Sequence, residues 1–112
     1  MDDLTITRFC AEAMGWTVKV AGHTEDRPFR CYEGDEPIYG IGSGWITSKW
    51  NPLHDDAQAM AMVKKLEIWL NINEVERGLR WYARPKDSAI FAGNSDLNRA
   101  ICEAVAKMQA SK

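Results

Sequence analysis

The stretch Ile68-Trp-Leu-Asn-Ile-Asn-Glu-Val-Glu-Arg-Gly-Leu-Arg-Trp-Tyr-Ala-Arg-Pro85 decides the fold. Its first part, Ile68 to Asn73, alternates strictly: Ile68, Leu70 and Ile72 point one way, Trp69, Asn71 and Asn73 the other. A two-residue period is the mark of a half-buried β-strand. Glu74 to Gly78 has the length of a hairpin turn, and Leu79 to Arg84 is the return strand. There Leu79, Trp81 and Ala83 oppose Arg80, Tyr82 and Arg84, and Pro85 ends the run. The segment therefore predicts an antiparallel ribbon with one apolar and one polar face. A sheet buried on both sides would not alternate in this way, so part of the polar face is expected to meet water.

Helices flank this ribbon. Upstream, Asp55 stands as an N-cap with Gln58 three residues on, the spacing of a capping box. Ala59, Met60, Met62, Val63 and Leu66 then form a wide apolar stripe. Downstream, Ser88–Phe91 reads as a third short strand. Asn94-Ser95-Asp96 caps a helix whose apolar residues are Leu97, Ile101, Ala104, Val105 and Met108. Near the start, Ile6, Phe9, Cys10, Ala13 and Met14 predict a helix at about 4–14, stopped by Gly15. A short strand, Trp16 to Val20, follows. Residues 21–44 are irregular, with strands expected around Phe29–Tyr32 and Ile38–Tyr39. Gly40-Ile-Gly-Ser-Gly44 is not a phosphate loop: no lysine follows in the required spacing, and Trp45-Ile46-Thr47 does not open a helix.

The predicted fold is α/β (α+β): three helices around a short, mostly antiparallel sheet, in the order α-β-(β)-α-β-β-(β)-α, with an α-β-α sandwich as one form of it. The 112 residues make a single domain, 1–112, with 46% hydrophobic and 27% charged residues, the balance of a folded globular chain. Such a size supports a core without a metal or disulfide staple. No apolar run reaches a membrane span and no secretory leader precedes the first helix, so a cytoplasmic location without membrane contact is expected. Three widely spaced cysteines, Cys10, Cys31 and Cys102, form no ligand cluster and read as small core hydrophobes in a reducing compartment. With two histidines only, neither metal nor cofactor is expected. The net charge of -2 divides unevenly, -5 over residues 1–56 and +3 over residues 57–112.

Three segments resemble the phage ABA sandwich domain, a family of small phage and prophage proteins of unknown function. They are Ala13-Met-Gly-Trp16, Trp50-Asn-Pro-Leu-His-Asp-Asp-Ala57 with Ala59-Met60, and Asp96-Leu-Asn-Arg-Ala-Ile-Cys-Glu-Ala104. The resemblance implies helices on both faces of a central sheet and a phage or prophage origin. It implies no activity.

Two surfaces are candidates for function. One is the entrance to the central helix: Trp45, Ser48, Lys49, Trp50, Asn51, His54, Asp55 and Asp56. Five tryptophans are present. Trp16 and Trp81 lie on apolar faces and read as core. Trp45, Trp50 and Trp69 read as exposed anchors for a protein partner. The first functional reading is therefore a non-catalytic module that binds a host or phage protein through Trp45, Trp50, His54, Asp55 and Asp56, or pairs with itself as a homo-oligomer. The alternative places a nucleotide or single-stranded nucleic acid on the ribbon's polar face. There Arg80, Tyr82 and Arg84 line up with Trp69, Asn71 and Asn73 and are flanked by Arg77 and Lys86: cations for phosphate, rings for stacking, amides for base edges. A small hydrolase-like enzyme ranks third. His54 beside Asp55 and Asp56 is the one histidine–carboxylate cluster outside the glycine-rich segment, and Ser48 and Cys31 are the nucleophiles at hand, placed by no motif.

Overall fold

The structure is a computed structural model that describes residues 1–20, 29–34, 36–37, 50–75 and 78–112. The expected strand at Ile38–Tyr39 lies outside the described residues, as do Trp45, Ser48, Lys49 and Arg77.

Helix α1 spans Asp3–Ala13. Asp2 caps it, its carboxylate accepting from the Thr5 amide at 2.7 Å, and Gly15 at φ +88° takes the left-handed step that ends it. Its buried residues, Ile6, Thr7, Cys10 and Ala11, recur at helical spacing. The Thr7 hydroxyl is satisfied within the helix, donating to the Asp3 carbonyl at 2.7 Å. Strand β1 (Thr17–Val20) pairs antiparallel with β2 (Phe29–Glu33), and β2 with the two-residue β3 (Glu36–Pro37).

Helix α2 spans Asp56–Leu66. Asp55 caps it by accepting from the Gln58 amide at 3.0 Å. The reciprocal arm of the capping box goes elsewhere: the Gln58 side-chain oxygen accepts from the Asn51 amide at 2.6 Å, tying down the chain that leads into the helix. Ala59 and Met62 are buried, whereas Met60 of the predicted stripe is exposed. Glu67 ends α2 in the left-handed region, φ 52°, and the chain enters β4 at the next residue.

The ribbon forms as the alternation requires. Strand β4 (Ile68–Val75) pairs with β5 (Gly78–Pro85) in antiparallel register, with Trp69 opposite Arg84, Asn71 opposite Tyr82 and Asn73 opposite Arg80. The third strand falls later than Ser88–Phe91. It is β6 (Ala92–Asn94), with Tyr82 opposite Gly93. Residues 88–91 turn instead, because the Ser88 hydroxyl takes the Ile90 amide at 3.0 Å and competes with a ladder bond. Helix α3 (Leu97–Ala110) starts at the Asp96 cap, itself held by the Asn94 side chain accepting from the Asp96 amide at 2.9 Å.

Among the described residues the strands make two three-stranded sheets, β1-β2-β3 and β4-β5-β6, rather than one, and every pairing is antiparallel. Helix α3 occupies the middle. It packs against β5 and β6 on one side and α1 on the other, while α1 also meets β1 and α2 meets both α3 and β4. Its stripe of Ala100, Ile101, Cys102, Ala104, Val105 and Ala106 is buried, and three alanines on that stripe let the neighbouring backbones approach closely. The core joins Ile6, Cys31, Met62, Ile68, Ala83 and Ala92 to this stripe, so α1, α2, α3 and both described sheets contribute. The helices thus cover the Ile68–Ala83–Ala92 face of the second sheet. Among the described residues no helix covers the opposite face.

Candidate nucleic-acid interface on the second sheet

Strand parity sets Trp69, Asn71 and Asn73 of β4 beside Arg80, Tyr82 and Arg84 of β5 on the face that no described helix covers. From β6, Gly93 shares this face, and Phe91 folds over it just before the strand. Trp69 is 62% and Phe91 57% exposed, high values for aromatic side chains in a folded domain. Both line a shallow depression of about 310 Å³ together with Asn71, Tyr82 and Arg84.

The cations and rings are organised in pairs. The Arg84 guanidinium lies over the Trp69 ring at 4.2 Å from its centroid, and that of Arg80 stands 5.9 Å from the Tyr82 ring. Each arginine is also anchored to backbone. Arg80 donates to the Gly93 carbonyl at 2.9 Å, and Arg84 to the Ser88 carbonyl at 3.3 Å. A guanidinium has five N–H donors, so one backbone bond orients it without exhausting it. Tyr82 and Phe91 meet as a tilted pair, with centroids 6.4 Å apart and 49° between the planes. Gly93 is required beneath them: a Cβ there would come within 2.7 Å of Tyr82 Cε1 and 2.9 Å of Arg80 Nε. The missing side chain lets the tyrosine ring and the arginine stem lie down on the sheet.

Charge is partitioned by face. No carboxylate occupies a described position of the polar face, although the chain as a whole is acidic. Glu74 belongs to the other face, opposite Leu79. Lys86, expected to flank the arginine row, forms an exposed ion pair with Glu67 at 2.7 Å instead, and that bond raises its pKa. Phe91 and Gly93 were not legible as site residues from the hairpin alone. The signal for them was parity: both flank Ala92, the one buried residue of that short run.

The entrance to α2 has a different character. Trp50 is fully buried and is no surface anchor: its indole N–H donates to the Thr7 carbonyl at 3.2 Å, and its ring meets Trp16 edge-on at 4.7 Å and 83°. A tryptophan beside Pro52 and Leu53, all three buried, closes the core against α1. Trp16 and Trp81 pack against that core half-buried, in keeping with their apolar faces. His54, Asp55 and Asp56 are exposed. Asp55 is occupied as the cap, and Asp56 accepts from the Asn98 amide at 2.7 Å. A cavity of about 370 Å³ lies between the start of α1 and this loop, lined by Asp3, Leu4, Thr7, Trp50, Asn51, Leu53 and His54. Its helix starts already carry aspartates, which supply the negative charge an anionic ligand would bring.

Of the candidate nucleophiles, Ser48 lies outside the described residues and Cys31 is buried. Burial pushes the Cys31 thiol up to about 12, so it stays protonated and a poor nucleophile. Cys10 is held well above its ordinary range by its neighbour Cys102 and by burial. Among the described residues no three histidine, cysteine, aspartate or glutamate side chains gather as a metal site, and no helix is long and apolar enough to cross a membrane. Comparison with family models, with curated proteins and with solved structures finds no match to this chain.

Proposed function

We propose that this protein binds single-stranded nucleic acid on the open face of its second sheet. One observation carries the proposal. A sheet face that no described helix covers presents two strongly exposed aromatic rings and a third half-buried one, interleaved with two backbone-anchored arginines and two asparagines, and with no carboxylate at its described positions. Rings of this kind accept bases of any sequence, because every base has a π-face. Guanidinium groups suit the phosphates between stacked bases. The asparagines Asn71 and Asn73 offer donors and acceptors to base edges. Three rings on one short sheet suit about two or three bases, the number held by comparable aromatic sheet platforms.

The acidity of the whole chain does not oppose this reading, since the local field depends on which charges share the face. A protein-partner role through the α2 entrance is less well supported, because Trp50 is built into the core. The phage context rests on the three short resembling segments alone. It would place the binding in the cytoplasm of a phage-bearing cell.

Fluorescence anisotropy with labelled oligothymidine and oligouridine, in low salt, tests the proposal. Saturable binding is expected. Trp69→Ala should weaken it roughly 5- to 150-fold, the equivalent of about 1–3 kcal/mol for one stacked base. Arg80→Ala should reduce the steepness of the log–log salt dependence by about 0.7, the share of one phosphate contact on a single strand. Absence of saturable binding to either oligomer in low salt refutes the proposal. Binding that survives both substitutions unchanged moves the site away from this face. Capture of a protein partner that needs Trp69 and Phe91, without oligonucleotide binding, would reassign the face to protein recognition.

A further inference from the structure

We propose that β4 is the pairing edge for a second copy of this chain, so that two second sheets join into one six-stranded antiparallel sheet. The proposal goes beyond nucleic-acid binding and stands without it. In the order β4-β5-β6, strand β4 uses one side for β5, and among the described residues nothing pairs with its other side. An open edge is a row of unpaired amides and carbonyls, and monomeric proteins blunt such edges by shortness, lysine or proline. The other described edges are blunted. Strand β6 has three residues, β3 has two and includes Pro37, and β1 has four and carries the exposed Lys19. Strand β4 has eight residues, Ile68–Val75, with no proline, no cation and Glu74 as its one charge. Among the described edges the longest is the one left unprotected.

The side chains select a second copy over an unrelated extended peptide. A two-fold axis perpendicular to the sheet keeps each residue on its own face, and the pattern of β4 is self-complementary about Ile72. In that register Ile72 stands opposite its own copy, and Asn71 stands opposite Asn73 on both sides of the axis. Ile72 is 40% exposed in the single chain, although it points to the apolar face. Self-pairing covers it and lets the amides of Asn71 and Asn73 bond across the seam. Each Glu74 falls opposite Leu70 rather than the other Glu74. The two carboxylates are separated by four strand positions, about 13 Å, beyond the roughly 8 Å screening length of physiological salt. The same axis sets the two polar faces side by side, so that both Trp69 rings border one continuous surface.

Sedimentation equilibrium of the full chain, without nucleic acid, tests the pairing. The mass should be twice that of the chain at high concentration and fall to that of a single chain on dilution. Ile72→Lys, a charge placed on the seam, should be monomeric throughout with an unchanged circular dichroism spectrum. Ile72→Cys, oxidised with diamide, should cross-link to a dimer. Leu79→Cys, on the neighbouring strand and 60% exposed, should not. A single-chain mass at every concentration overturns the proposal, as does a dimer that persists in Ile72→Lys. Equal cross-linking of the two cysteine variants overturns the assigned register.

Discussion

Replacing Trp50 separates a core role from a recognition role. The residue is fully buried, donates to the Thr7 carbonyl at 3.2 Å and meets Trp16 edge-on at 4.7 Å. Trp50→Phe keeps one six-membered ring and loses the indole N–H and the volume of the second ring. That volume is about 40 Å³, which at about 24 cal/mol per Å³ of cavity costs about 1 kcal/mol. The lost hydrogen bond costs about 1 kcal/mol more, because the Thr7 carbonyl keeps its place in the α1 ladder and is not stranded. The sum, about 2 kcal/mol, lowers the melting temperature of a domain this size by about 8 °C. Trp50→Ala adds the rest of the cavity and the ring pair, for a total of about 5 kcal/mol. A domain of this size has about 5–15 kcal/mol in all, so the alanine variant sits at the edge of unfolding. Urea titration followed by circular dichroism measures both variants, with the slope expected to stay constant. A Trp50→Phe protein as stable as the parent would refute the reasoning. So would a stable Trp50→Ala protein that had lost only the capture of a partner.

Three further outcomes follow from the geometry. Gly93→Ala should weaken oligonucleotide binding while leaving the unfolding midpoint within about 1 kcal/mol of the parent, because the added Cβ displaces the Tyr82 ring and the Arg80 stem, and both can swing toward solvent; unchanged affinity in anisotropy would show that their placement is unimportant. The buried thiols make the fold sensitive to alkali. Cys31 rises from an ordinary 9.0 to about 12. Its neutral form is favoured in the folded state, so stability is intact below pH 9 and falls as pH rises toward 12, where the unfolded chain releases the proton first. Cys31→Ala should flatten that fall in pH-dependent denaturation, and an unaltered slope would count against it. Finally, Asp96→Ala removes the α3 cap and should cost about 1 kcal/mol in urea titration, whereas Asp96→Asn should cost far less.

The sequence was most informative where one physical signal acted alone. Alternation from Ile68 to Arg84 settled the hairpin and its faces, because a two-residue period admits one register with the apolar side inward. Helical spacing and aspartate caps located α1, α2 and α3 to within a residue or so. Reading failed where tertiary packing chose between equal local options. Trp50 follows an irregular segment and precedes Asn51 and Pro52, a setting that reads as a surface loop. Its burial depends on Thr7, 43 positions away in sequence. The misplaced third strand has a local cause of another kind, the Ser88 hydroxyl capturing an amide that β pairing would have used. That the strands divide into two sheets was not legible either, since each strand pattern is satisfied by a neighbour on one side and says nothing of how many neighbours follow. Of the candidate interface, the six strand residues were legible, whereas Phe91 and Gly93 depended on where β6 begins.

Helix α3 has a consequence for how the chain becomes a protein. Its first turn is bolted to those of the other two helices: Arg99 pairs with Asp3 at 2.8 Å and Asn98 with Asp56 at 2.7 Å. Its buried stripe supplies Ile101, Val105 and three alanines to the centre. Until residues 97–110 leave the ribosome, α1 and the ribbon lack the helix that joins them, and the apolar side of β5 stays bare. Assembly therefore waits for α3 and then joins distant parts of the chain, a route that slows folding and exposes nascent protein to chaperones and proteases.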